Sequence, residues 1–249
     1  MKHVVLFSGG VASAYVAHMV KNELGKEGLR DIVLLNTPTW SEDRDIYRFM
    51  CQVGRKLKLP ITIWGDGRTI WQLIQDRGAI PGNFIPFCTQ RLKQEMKEQY
   101  YKYLERMGEE YIEYVGFGAD EPSRVQKAYA RAQKHGRKIR FPIAESCISS
   151  EEIKKFITEE WKLQLPNAYK ALKHNNCIPC FKGGKEYFYQ VYKFYPEQFE
   201  LAKQAENETG YTVFKDTKLE ELEKNFMNKE EWENNQYQIA DFIPCDCWL

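Results

Sequence analysis

At 249 residues the chain is long enough to bury a large core in one α/β domain with a smaller appendage. Acidic and basic residues nearly cancel, at a formal net charge of +1, which argues neither for an obligate nucleic-acid binder nor for an acidic tail, so that any basic site must be local. The apolar run Val4 to Phe7 is too short for a secretory core, and no stretch is apolar enough for a membrane span. With seven cysteines and no export signal, the expected setting is the reducing cytoplasm, where cysteines serve metals, clusters or catalysis more often than disulfides. In chain order, β-rich runs fall at Val4 to Phe7, Ile32 to Leu35, Ile61 to Trp64, Tyr111 to Phe117 and Ile139 to Ile143. Helical patterns lie between them, with Ala12, Tyr15, Val16, Met19, Val20 and Leu24 on one stripe and Ile46, Phe49, Met50, Val53 and Leu57 on the next. This alternation predicts an α/β fold with a parallel sheet covered on both faces.

After Pro142 the pattern changes. Ser149 and Glu152 form a capping box for a helix through Trp161, and no further strand is evident. A Gly183-Gly184 turn precedes an aromatic helix carrying Tyr187, Phe188, Val191, Tyr192 and Tyr195, and Pro196 suits the first turn of another helix. Residues Lys218 to Asn235 read as a charged amphipathic helix with Leu219, Leu222, Phe226 and Met227 inward. The expected organisation is a nucleotide-binding α/β domain over residues 1–145 and a helical, cysteine-containing subdomain over 146–249.

The first strand runs through Ser8-Gly9-Gly10 directly into a helix. Such a turn presents backbone N–H groups at a positive helix end with no side chain in a phosphate's way, and Ser8 and Ser13 add hydroxyl donors. The same glycines also suit a plain tight connection, but their place after the first strand favours the phosphate cradle.

Ser8-Gly9-Gly10-Val11-Ala12-Ser13 resembles the PP-loop, Ser-Gly-Gly-x-Asp-Ser, of the ATP pyrophosphatase (adenine nucleotide α-hydrolase-like) superfamily, in its phosphoadenosine phosphosulfate reductase-like branch. Asn36-Thr37-Pro38 with Trp40 and Glu42 resembles the adenine-holding segment after the second strand. Cys88-Thr89-Gln90-Arg91-Leu92-Lys93 resembles the Cys-x-x-Arg-x-Lys element. Gly116-Phe117-Gly118-Ala119-Asp120-Glu121, followed by Arg124, resembles the segment after the fourth strand. The resemblance implies a Rossmann-like, doubly wound sheet of the HUP/PP-loop type. It implies that ATP or an adenylyl sulfonucleotide is held with Mg2+ by Ser8, Gly9, Gly10, Ser13, Asn36, Thr37, Gly116, Gly118 and Arg124, with Arg91 and Lys93 at the reacting group. Sulfur transfer or reduction would follow, with a sulfur donor protein or a nucleic-acid acceptor as partner and homodimer assembly compatible with it. Ala12 departs from the pattern by standing where the family has Asp; Asp43, Asp45 and Asp120 are the substitutes to consider.

Cys177-Ile178-Pro179-Cys180 has the gap at which two thiolates reach one metal or cluster, and equally suits a redox pair or an incidental spacing. The resemblance makes Cys88 its partner in an iron–sulfur (4Fe-4S) cluster. Cys245 then supplies the fourth ligand, or Cys245 and Cys247 complete a four-thiolate zinc site without Cys88. The same two could serve as tail nucleophiles, although the Glu-Cys-Gly-x-x-His ending of the reductases is absent. Cys51 and Cys147 read as buried small residues, and His174 as a loop histidine facing solvent rather than a ligand. Arg124, Lys127, Arg131, Lys134, Arg137, Lys138 and Arg140 form either a solvated face or, with Arg91 and Lys93, an anion funnel at the carboxyl end of the sheet.

Overall fold

The computed structural model describes residues 1–175 and 177–228. Five strands, β1 (Lys2–Leu6), β2 (Ile32–Asn36), β3 (Ile61–Ile63), β4 (Tyr111–Tyr114) and β5 (Lys138–Arg140), form one all-parallel sheet in the order β3-β2-β1-β4-β5. The helices are α1 (Val11–Leu24), α2 (Asp45–Leu57), α3 (Ile70–Arg77), α4 (Phe87–Thr89), α5 (Glu95–Arg106), α6 (Pro122–Lys134), α7 (Pro142–Ser146), α8 (Ser150–Lys155), α9 (Lys185–Phe194), α10 (Pro196–Thr209) and α11 (Leu219–Met227). A π-helical stretch, Gln90–Gln94, joins α4 to α5. The parallel, doubly covered α/β sheet expected from the alternation is thus present, with the Rossmann-like, doubly wound architecture that the resemblance implies, and no helix among the described residues is long and apolar enough to cross a membrane.

Strand alternation explains the two covered faces. On one, Val5, Phe7, Leu34 and Tyr114 pack with Val16 and Val20 of α1, with the whole Ile46, Phe49, Met50, Val53, Leu57 stripe of α2, and with Ile153, Ile157 and Trp161. On the other, Val4, Leu6 and Leu35 meet Tyr101 and Leu104 of α5 and Ala128 of α6. A third cluster gathers Phe188, Phe199, Leu219, Leu222 and Phe226 of the C-terminal helices, and extends to Ile70 and Ile74 of α3 and to Phe87 and Leu92.

Several local expectations are corrected. The fourth and fifth strands end at Tyr114 and Arg140, because Gly116 opens a loop and Pro142 starts α7. Met227 is exposed, one residue past Phe226 and so turned about 100° off the Leu219, Leu222, Phe226 stripe. Cys51 is exposed for the same reason, next to buried Met50, and Cys147 is exposed as the left-handed cap that ends α7, at φ 54°. The expected helix to Asn235 is described as far as Met227, and its remainder lies outside the described residues.

The chain passes from β1 outward to β2 and β3, then crosses back to β4 beside β1. The strand order therefore reverses between β1 and β4. In open α/β sheets this crevice, at the carboxyl ends of the strands, is where ligands find room between diverging loops.

Candidate functional site

A cavity of about 370 Å3 opens at that crevice, within the size range of small-ligand sites. One wall is the glycine turn, through Ser8, Gly10, Ala12 and Ser13; a second is Gly116, Phe117, Gly118, Asp120, Glu121 and Arg124 after β4; a third is the 169–175 segment.

The turn is built by two glycines with different constraints. Gly9 has φ +78°, and a Cβ there would stand 2.6 Å from Ile46 Cγ1 and 2.8 Å from Met50 Cγ. Gly10 has ordinary extended geometry, φ −81° and ψ 163°, and faces the cavity. It is the N-cap of α1 without a side-chain cap, and the first turn carries no acidic residue. The amides and the positive end of α1 are thus not offset by a side-chain anion. Ser13 Oγ donates to Gly10 O at 2.9 Å and Ser8 Oγ to Ser13 Oγ at 3.3 Å, holding both hydroxyls at the turn.

The Gly116 wall packs against the turn directly: a Cβ on Gly116 would meet Ala12 C at 3.2 Å and Ala12 Cβ at 3.3 Å. Beyond it, Glu121 binds Arg124 and accepts from Gly118 N at 3.2 Å, while the Arg124 guanidinium lies 4.1 Å from the centre of the Phe117 ring. Of the carboxylates considered as substitutes for the missing Asp, Asp120 lines the cavity. Asp45 is engaged with Arg48 and Asn167 N, and Asp43 with Tyr195 and Asp45 N. Asp120 and Glu121 offer the oxygen donors that Mg2+ takes.

Lys93 links this cavity to a second, smaller one of about 10 Å3, lined by Thr39, Ile70, Cys88, Thr89, Lys93, Cys177, Cys180 and Lys182. The structure therefore brings Cys88, Cys177 and Cys180 together. Cys177 is fixed by docking of its loop on the segment after β2: Ile178 N donates to Ser41 O at 2.7 Å, Thr39 Oγ1 lies 3.2 Å from Cys177 Sγ, and Glu42 Oε1 accepts from Thr39 N and Oγ1. Burial pushes the Cys88 and Cys177 thiols up to about 11, and Cys180 in the same direction. Burial works against the Lys93 ammonium, but Cys177, Glu42, Cys180 and Cys88 outweigh it and hold Lys93 above the usual lysine value.

Three thiols beside a cation are a donor set suited to a soft metal or a cluster. Among the described residues no group of three or more His, Cys, Asp or Glu is arranged to hold a metal ion. The expected four-thiolate zinc site combines Cys177 and Cys180 with Cys245 and Cys247, and so draws half of its ligands from outside the described residues. An iron–sulfur cluster would require the three side chains to open around it. Cys245 and Cys247, expected as ligand and nucleophile, lie outside the described residues.

Other expected site residues stand elsewhere. Asn36 and Thr37 are buried behind the turn, Asn36 Nδ2 donating to Phe7 O at 2.8 Å, and neither lines the cavity. Arg91 is paired with Asp66 and Glu95. Of the basic segment, Arg124 reaches the cavity, while Arg137 pairs with Glu98, Lys138 with Glu110, and Arg140 with Glu23 and Glu145; Lys127, Arg131 and Lys134 are exposed on α6. His174 is exposed at the cavity rim, its imidazole held below the ordinary value by desolvation.

Sequence reasoning missed the third wall. Tyr169, Lys173 and Asn175 line the cavity, and Tyr169 meets Val11 across 158 positions of chain, a separation that leaves no local pattern. No protein-family model matches the chain, and no curated protein matches it.

Proposed function

We propose that the chain binds an adenine nucleotide, ATP or an adenylyl sulfonucleotide, by its phosphates in the β1–β4 crevice. We propose further that it acts in sulfur transfer or reduction as a phosphoadenosine phosphosulfate reductase-like enzyme of the PP-loop kind. The observation that carries this reading is Lys93, one buried ammonium on the walls of both the glycine-turn cavity and the three-cysteine cavity. A cation in that place lowers the energy of an oxyanion on one side and of thiolates on the other. The phosphates would lie on the Ser8–Ser13 turn, with Arg124 and Lys173 adding charge at the opposite walls. Mg2+, held at Asp120 and Glu121, would neutralise the departing phosphates. An iron–sulfur cluster, if held, would bind Cys88, Cys177 and Cys180 and supply electrons or a sulfur-binding iron.

The test is anaerobic purification followed by nucleotide titration and product analysis. Sulfite released from an adenylyl sulfate in the presence of a thiol supports reduction. AMP formation from ATP, with sulfur incorporated into a nucleic-acid acceptor, supports the thiolation alternative. Ala12 favours one further reading, a nucleotide-binding protein without turnover, because the family's carboxylate is missing from the cavity wall it lines. That reading predicts ATP binding with neither AMP nor pyrophosphate released. Absence of any nucleotide binding would refute all of these.

A further inference from the structure

The third wall of the cavity carries polar groups that the fold leaves unanswered. Val11 N, at the first turn of α1, donates to the Tyr169 hydroxyl at 3.1 Å, so that oxygen acts as acceptor and its own proton has no acceptor among the described residues. Burial pushes the Tyr169 phenol up to about 12, so the proton stays on the oxygen at neutral pH. Beside it, both polar atoms of the Asn175 carboxamide are shut off from solvent and have no partner among the described residues. Both side chains line the cavity and both adjoin Gly10: a Cβ there would meet Tyr169 Oη at 3.3 Å and Asn175 Cβ at 3.9 Å. A buried amide left without partners costs about as much as a lost hydrogen bond or more, so an orphan pair of this kind needs an explanation.

The wall is also fixed in place. Arg48 donates to the Gln164 and Leu165 carbonyls, Asp45 Oδ2 accepts from Asn167 N at 2.9 Å, and Ala168 and Leu172 are buried on either side of Tyr169. A rigid set of donors facing the positive end of a helix suits a ligand rich in acceptor oxygens.

We infer that Tyr169 and Asn175 complete the oxyanion cradle, donating hydrogen bonds to phosphoryl oxygens of the nucleotide beside Gly10, at the edge of the Ser8–Ser13 turn. This rests on the nucleotide reading above and adds to it two contacts that discriminate for phosphate. Tyr169 keeps its bond from Val11 N and passes that amide's polarity on through its own O–H.

The experiment is calorimetric titration of the full chain with ATP and with inorganic pyrophosphate, for the wild type, Tyr169→Phe and Asn175→Asp, with a thermal melt of each. Hydrogen bonds to charged groups set the expected loss at about 10-fold or more in affinity for Tyr169→Phe, equal for the two ligands. A larger loss is expected for Asn175→Asp, whose carboxylate replaces a donor with a like charge. Asn175→Ser replaces Asn175→Asp if the carboxylate lowers the melting point. Wild-type affinity in Tyr169→Phe overturns the inference and leaves nucleotide binding standing, and tighter binding overturns it by showing that the hydroxyl obstructs the cradle. A wild type that binds neither ligand removes the nucleotide reading and this inference together.

Discussion

Gly9→Ala and Gly10→Ala place the same methyl group on adjacent positions of one turn, with opposite expected consequences. At Gly9 the backbone sits at φ +78°, where an L-residue costs about 1–2 kcal/mol. The new Cβ would also stand 2.6 and 2.7 Å from Ile46 Cγ1 and Cδ1 and 2.8 Å from Met50 Cγ. Those side chains are 1% and 3% exposed within the core, so they cannot swing aside, and overpacking adds about 1–3 kcal/mol. The sum, about 2–5 kcal/mol, is a large share of the roughly 5–15 kcal/mol that stabilises a typical domain. For a chain of this size it lowers the melting temperature by about 4–20 °C. At Gly10 the geometry is open to any residue and the nearest atoms are Tyr169 Oη at 3.3 Å and Ser8 Oγ at 3.5 Å. Stability should change by less than about 1 kcal/mol, the unfolded-chain entropy offsetting a slight crowding. The methyl, however, fills the approach to the α1 amides, and ATP affinity should fall at least about 10-fold. Urea denaturation and ATP titration of both variants check this. A Gly9→Ala protein as stable as wild type, or a Gly10→Ala protein that binds ATP unimpaired, would refute the division of labour within the turn.

Three other expectations follow from the packing and titration of particular groups. Lys97 Nζ lies 3.2 Å from Glu113 Oε1 and Tyr101 donates to Glu113 Oε2 at 2.7 Å, all within the core; Glu113→Ala strands a buried ammonium and should cost about 3–5 kcal/mol in urea denaturation. Asp45 is held below the ordinary carboxylate value by Arg48 and by Asn167 N, so its contribution is present above the unfolded value of about 4 and is lost as pH falls through the depressed one. Asp45→Asn should therefore be less stable than wild type at pH 7, with the gap closing in acid; a gap independent of pH would contradict the assignment. Iodoacetamide at pH 8, followed by mass spectrometry, should modify exposed Cys51 and Cys147 rapidly, half-buried Cys88 more slowly because burial raises its thiol, and buried Cys177 and Cys180 only on unfolding.

Hydrophobic periodicity located all five strands and the α2 stripe, because buried parallel strands and an amphipathic helix each write their environment into neighbouring residues. It misplaced Cys51 and Met227, single positions one residue from a stripe, where 100° of helix rotation separates core from solvent. The glycine turn was legible because it is a contiguous loop after a strand, and the Gly116–Arg124 segment because its contiguous motif carries the family resemblance. The wall formed by Tyr169 and Asn175 was not, since its contacts with Gly10 and Val11 arise from docking of distant chain on α2 through Asp45 and Arg48. Spacing marked Cys177 and Cys180 as a pair, and the resemblance added Cys88 and set Lys93 at the reacting group. Neither signal showed that Lys93 would line both the crevice and the thiol cavity.

That shared lysine imposes a reciprocity. For any anion bound in the crevice beside Lys93, the ammonium's charge is divided between that anion and the thiols. The factor by which thiol deprotonation weakens anion binding must then equal the factor by which the bound anion suppresses thiol deprotonation. A titration of the cysteines with and without nucleotide, and of the nucleotide at two pH values, measures one coupling constant from two directions.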